Sequence, residues 1–150
     1  VWVRNTVEVK NSRSIGFLPG TANEKLMPYA GPLSDTLGGD VALERAIIDG
    51  WVKLEHLGPI RGRSYKRSII YCSEAENLTK EHVQLLIGRL GGDSALWLNG
   101  DLRQIDDVVF ESNNGLRKAI ECLTGQHRFG VVYMPINERS ETAKLADLLD

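Results

Sequence analysis

Ser68-Ile69-Ile70-Tyr71-Cys72-Ser73-Glu74-Ala75-Glu76-Asn77 is the stretch on which the fold turns. Its first half is a short apolar run without the alternation of a half-exposed strand, which predicts a strand buried on both faces. Its second half switches at once to acidic and polar residues. Downstream, Thr79 predicts the N-cap of a helix with an apolar stripe of Val83, Leu86, Ile87 and Leu90, stopped by Gly91-Gly92. Ala95-Leu96-Trp97-Leu98 predicts a second buried strand, and a helix near 115–123 carries Leu116, Ala119, Ile120 and Leu123 on one face. Working outward, 1–4 and 6–9 read as a strand with its exit, and 11–20 as a loop. Residues 24–37 have weak helical spacing interrupted by Pro28 and Pro32, Asp40 predicts a cap for a helix over 41–49, and 51–54 a short strand. Toward the end, 129–134 predicts another buried strand broken by Pro135. Ser140 predicts the cap of a last helix carrying Ala143, Leu145, Ala146 and Leu149. Short apolar strands alternating with amphipathic helices predict an α/β domain around a largely parallel sheet.

The chain has 150 residues, one domain or most of one. Hydrophobic residues make up 42% and charged residues 25%, the ordinary balance of a globular protein, and a net charge of -2 excludes a strongly basic DNA-coating protein while leaving room for a local basic groove. Cys72 and Cys122 lack metal-like spacing and read as reduced thiols of a cytoplasmic protein. His56, His82 and His127 are scattered, so no metal site built from protein ligands alone is expected. No apolar run approaches the ~18 residues that would span a membrane, and nothing at the start has the order of a signal peptide. The chain opens without Met inside a strand-like run, which leads us to expect the larger, C-terminal part of a longer domain.

In parallel sheets the chemistry lies at the carboxyl ends of the strands. Three such ends stand out: Ser73 to Asn77, then Asn99-Gly100-Asp101 with Gln104, then Glu138-Arg139-Ser140. An acid pair after a buried strand is the arrangement with which P-loop NTPases hold the water shell of Mg²⁺ and orient the attacking water. A glutamine beside it can sense a terminal phosphate, and an arginine can neutralise a transferring phosphoryl group. Each signal alone is weak; the three in this order are much more specific.

Taken with the rest of the chain, these residues resemble the PhoH-like ATPases, whose domain is similar to the first motor domain of superfamily 1 helicases. The resemblance rests on Gly16-Phe17-Leu18-Pro19-Gly20 with Glu24-Lys25 and Pro28-Tyr29, on Arg61-Gly62-Arg63-Ser64, and on the Ser68–Leu78 Walker B strand. It continues through Gly100-Asp101 with Gln104 and Asp106, through Asn113, Gly115 and Leu116, and through Glu138-Arg139-Ser140. The last segments take the form seen in phage members and in the toxin-linked branch. The resemblance implies a RecA-like P-loop NTPase-type sheet.

It also implies roles. Glu74, Gln104 and Arg139 are the expected catalytic residues, for positioning water, sensing phosphate and neutralising charge. Ser73, Glu76 and Asp101 are expected beside the nucleotide and Mg²⁺, and Arg4, Arg61 and Arg63 against nucleic acid. ATP and Mg²⁺ follow as ligands of the completed site, RNA or another single strand as a partner, and a homo-oligomer, a ring among its forms, as the assembly. Two departures stand against the pattern. No Gly-x-x-x-x-Gly-Lys-Ser/Thr occurs in the 150 residues, and the first Walker B acid is Ser73. In RecA-like sheets the strand before that glycine-rich loop lies between the 99–101 strand and the last strand, so a gap or rearrangement is expected there. The competing expectation is an inactive nucleic-acid-binding or assembly module on the same fold.

Overall fold

The computed structural model describes residues 1–4 and 25–135, together with Ser140, Thr142 and Leu145. The expected strand exit at 6–9, the 16–20 motif, Glu138 and Arg139 lie outside the described residues, as does nearly all of the expected last helix. The strands are β1 (Trp2–Arg4), β2 (Leu54–His56), β3 (Ile69–Ser73) and β4 (Ala95–Leu98). The helices are α1 (Gly31–Leu37), α2 (Asp40–Ile48), α3 (Lys80–Ile87), α4 (Val108–Ser112) and α5 (Gly115–Leu123). Short 3-10 turns span Met27–Tyr29, Gly58–Ile60 and Ala75–Asn77.

All four strands pair in parallel, in the order β2-β1-β3-β4. Alternation along β1 explains the layers. Val3 points to one face with Ile70 and Cys72, all fully buried, where α3 and α5 supply Val83, Leu86, Leu116 and Ala119. Trp2 points to the other face with Leu54, against Leu26, Ala30 and Leu43 of the helical segments. Burial on both faces is why β3 reads as an unbroken apolar run. The parallel register sets Arg4 opposite Ser73 and Cys72 opposite Leu98, so β1, β3 and β4 end together at one edge of the sheet.

α3 begins with a capping box in which the Thr79 hydroxyl accepts from the His82 N–H and His82 Nδ1 accepts from the Thr79 N–H at 3.2 Å. The prolines in 24–37 do not break one helix; each starts a new one, in the first turn where its missing N–H costs nothing. Asp40 is the first residue of α2 rather than its cap. Gly39 holds the cap position, and Asp40 Oδ1 accepts from Ser34 Oγ at 2.6 Å.

The strand expected at 51–54 begins only at Leu54. The Trp51 and Val52 N–H groups are taken by the Ala46 carbonyl at the end of α2, at 2.9 and 3.1 Å, so they cannot join a ladder. The buried strand expected at 129–134 is corrected too. No strand is formed there, and Val132, Tyr133 and Met134 are 84%, 72% and 77% exposed. β4 is the outer strand of the described sheet, with Trp97 exposed on it, and 129–134 does not pair with it. β4 is therefore a half-buried edge rather than the fully buried strand its composition suggested.

Candidate functional site

The site is built from the exit of β3. Glu74 adopts the left-handed conformation, φ 53 and ψ 45, and turns the chain out of the strand into Ala75–Asn77. A non-glycine residue there is uncommon and persists only where its surroundings fix it. The surroundings are dense. The Ala75 N–H donates to the Asn99 carbonyl at 2.8 Å, which ties the turn to the end of β4. Gly100 lies so close that a Cβ would run into Glu76 Oε2 and meet the Glu76 backbone N at 2.8 Å. Glu76 is buried, and its Oε2 accepts from the Asp101 N–H at 3.2 Å. Burial pushes the Glu76 carboxyl above its ordinary range, partly countered by that bond and its own backbone N–H.

Asn77 continues the stitching. Its Nδ2 donates to Asp106 Oδ2 at 2.6 Å, while the Asp106 N–H donates to Asn77 Oδ1 at 3.0 Å. Buried Asn114 caps α5 and donates to the Glu76 carbonyl at 2.7 Å, and the Gly115 N–H reaches the Leu78 carbonyl at 2.7 Å. The acidic turn, the 100–106 loop and the start of α5 thus form one hydrogen-bonded unit.

Within the loop, Asp101 accepts from Arg103 Nε and Nη2 at 3.1 and 2.9 Å, and from Gln104 Nε2 at 3.2 Å. The Arg103 bonds, first of all causes, hold the Asp101 carboxyl below its usual range. Asp101 therefore orients Gln104, whose side chain is exposed.

On the other flank, Arg4 Nη2 pairs with Glu74 Oε1, and its Nη1 donates to the Tyr29 carbonyl at 3.2 Å. The guanidinium carbon sits 5.5 Å from the centroid of the Tyr29 ring. Among the described residues Ser73 Oγ is buried without a hydrogen-bond partner. Cys72 cannot act as a nucleophile near neutral pH, because burial, with the Glu76 and Glu74 charges, pushes its thiol up to about 12.

The structure thus brings Arg4, Ser73, Glu74, Glu76, Asp101 and Gln104 to one edge. It does not bring Arg61 and Arg63 there. Arg63 is tied instead to buried Glu55, which also holds Lys53 Nζ at 2.6 Å and the Tyr65 hydroxyl at 3.2 Å. Lys53, Arg63 and Tyr65 line a cleft with Val1 and Ile69, at the amino ends of the strands. Tyr65 loses its proton only near pH 12, through its own desolvation and then the Glu55 charge. Arg61 is exposed on the same loop.

The sequence alone assigns no role to Asn77, Arg103, Asp106 or Asn114, although Asn77 and Asp106 lie in motif segments. The signal was there for Asn77 and Asp106, two polar residues just past two strand ends, but their separation of 29 residues gives no local pattern. Among the described residues no three His, Cys, Asp or Glu side chains converge as a metal cage. The residues present suit the outer shell of a Mg²⁺ ion that arrives on nucleotide phosphates, the usual way such an ion is held.

An all-parallel sheet covered on both faces, with an acidic turn at the end of an inner strand and an acid–amide loop beside it, is an α/β fold of the RecA-like P-loop NTPase type. The family model described as PhoH-like protein matches residues 1–144, and the chain belongs to that family. It is 40% identical over 147 residues to "Protein PhoH2" of Bacillus subtilis (strain 168), covering 91% of this chain and 33% of that protein. It is 32% identical to "Protein PhoH2" of Mycolicibacterium smegmatis, over 89% of this chain and 31% of that one. It is 36% identical to a "PhoH-like protein" of Bacillus subtilis (strain 168), over 78% of this chain and 37% of that one. The chain spans about a third of the length of the curated relatives it matches. No described helix is long and apolar enough to cross a membrane.

Proposed function

We propose that this chain supplies the acid-and-sensor half of an ATP-hydrolysing site, in a protein that couples hydrolysis to RNA or another single strand in the cytoplasm and works as a homo-oligomer. The observation that carries the reading is the hydrogen-bonded unit at the exits of β3 and β4, which fixes Glu74 and Gln104 on one edge. Glu74 orients the attacking water and accepts its proton as the bond to phosphorus forms. Gln104, steered by Asp101, reads the terminal phosphate. Arg139 neutralises charge as it builds on the phosphoryl oxygens. Ser73, whose hydroxyl has no partner among the described residues, offers it to a water of the ion's shell. Glu76 braces Asp101 rather than reaching toward phosphate. Mg²⁺, when bound with the nucleotide, supplies the charge that makes the phosphate electrophilic. The phosphate-cradling loop belongs to a segment outside these 150 residues.

One observation favours a second reading, an inactive binding or assembly module: Ser73 brings no negative charge to the ion's shell. Steady-state ATP hydrolysis by the full-length protein, with and without single-stranded RNA, separates the two. The catalytic reading predicts measurable hydrolysis stimulated by the strand, and a rise of about 10-fold or more in Ser73→Asp, the scale on which outer-shell partners act. No hydrolysis in either protein, with RNA binding unaffected by ATP, establishes the module instead.

A further inference from the structure

We propose that Arg4 is the positioning residue of Glu74, holding its carboxylate in one orientation for the chemistry. The proposal rests on the reading of Glu74 given above and adds a residue and a mechanism to it. Arg4 is the last residue of β1 and stands opposite Ser73 in the parallel register, so its side chain leaves the sheet one residue short of Glu74. Its fork is divided between two acceptors. Nη2 takes the Glu74 carboxylate and Nη1 the Tyr29 carbonyl, while the Tyr29 ring lies against the guanidinium. Carbonyl and ring belong to the short turn Met27–Tyr29, which is packed on the sheet through Leu26 and Ala30. Arg4 is therefore anchored on a fixed element and hands that fixity to Glu74.

Glu74 needs it. Its side chain is 40% exposed, against 20% for Arg4, and its left-handed backbone is followed by a tight turn rather than by a helix that would pack the side chain. Without the guanidinium the carboxylate would sample several rotamers in water. Displacement of a catalytic group by about 1 Å can cost 100-fold in rate. The pairing is also specific to arginine. A lysine has no planar fork and cannot serve carboxylate, carbonyl and ring together.

The test uses the full-length protein in steady-state ATP hydrolysis, with nucleotide affinity and thermal melting measured in parallel. Arg4→Gln is expected to lower kcat by about 10- to 100-fold while KM for ATP stays within about twofold. Arg4→Lys is expected to recover part of that loss, and on a Glu74→Gln background Arg4→Gln is expected to cost nothing further. Tyr29→Leu removes the ring and is expected to lower kcat by a smaller factor at unchanged KM; it carries the test if Arg4→Gln fails to fold. The positioning role is overturned if Arg4→Gln hydrolyses like wild type while Glu74→Gln is inactive, or if Arg4→Gln still lowers the residual rate of Glu74→Gln. A Glu74→Gln protein as active as wild type sinks the reading of Glu74 itself, and this proposal with it.

Discussion

Asn77 shows how much one buried amide can organise. It makes two hydrogen bonds to Asp106, one to the carboxylate and one from the backbone, and so clamps the loop that carries Asp101 and Gln104. Asn77→Ala leaves that loop without its anchor and a buried donor–acceptor pair unmet. We expect a loss of about 2 kcal/mol in unfolding free energy, read by urea denaturation, with hydrolysis falling at least as steeply. Asn77→Asp keeps the acceptor but sets a carboxylate against Asp106, and should be no better. At this scale the sequence was partly legible. Glu74 and Gln104, residue types with obvious chemistry at strand ends, lie on one edge. The bracing residues escaped notice because their partners lie tens of residues away, and only the parallel register brings them together.

Helix α3 carries an acid-sensitive cap. The Thr79 N–H donates to His82 Nδ1, an acceptor that exists only on the neutral imidazole. Desolvation, first of all causes, lowers the His82 pKa below its ordinary 6.5, and desolvation lowers that of His56 as well, whose Nδ1 accepts from the Gly58 N–H. Because the folded pKa values lie below the unfolded one, the unfolded chain binds protons first on acidification. The contribution of these two hydrogen bonds is complete above about pH 6.5 and is lost as pH falls through the depressed folded values. Melting temperatures measured between pH 8 and pH 5 should therefore decline below 6.5. His82→Gln, which keeps an N3 acceptor that does not titrate, should melt near wild type at pH 8 and decline less at pH 5. Among the elements, α3 and β3 were readable, but α3 ends at Ile87 with Gly88 as its C-cap, so Leu90 and the expected Gly91-Gly92 stop lie beyond the helix and only Val83 and Leu86 of the stripe are buried. The boundary of β2 was not, since the end of α2 captures the Trp51 and Val52 amides, a tertiary competition that no window of local pattern contains.

For the molecule as a whole, the misread segment is the most instructive. Residues 129–134 have the composition of a buried strand, yet form none: Phe129 packs against the core while Val132, Tyr133 and Met134 lie exposed. A strand is made by its neighbours, and composition only licenses one. Among the described residues the outer edge of β4 is unpaired, and with Trp97 exposed on it that edge invites pairing with another copy. The 150-residue chain alone should self-associate with rising concentration in sedimentation velocity, and Trp97→Lys should shift it toward monomer. The same geometry gathers the chemistry at the carboxyl end of β1, β3 and β4, where the central claim can be tested directly. The measurement is single-turnover ATP cleavage by the full-length protein and its Glu74→Gln variant, with nucleotide binding determined separately. We predict that the variant binds ATP within about twofold of wild type and cleaves it about 100-fold or more slowly, the scale on which a positioned general base acts. Cleavage at the wild-type rate by Glu74→Gln would contradict the account.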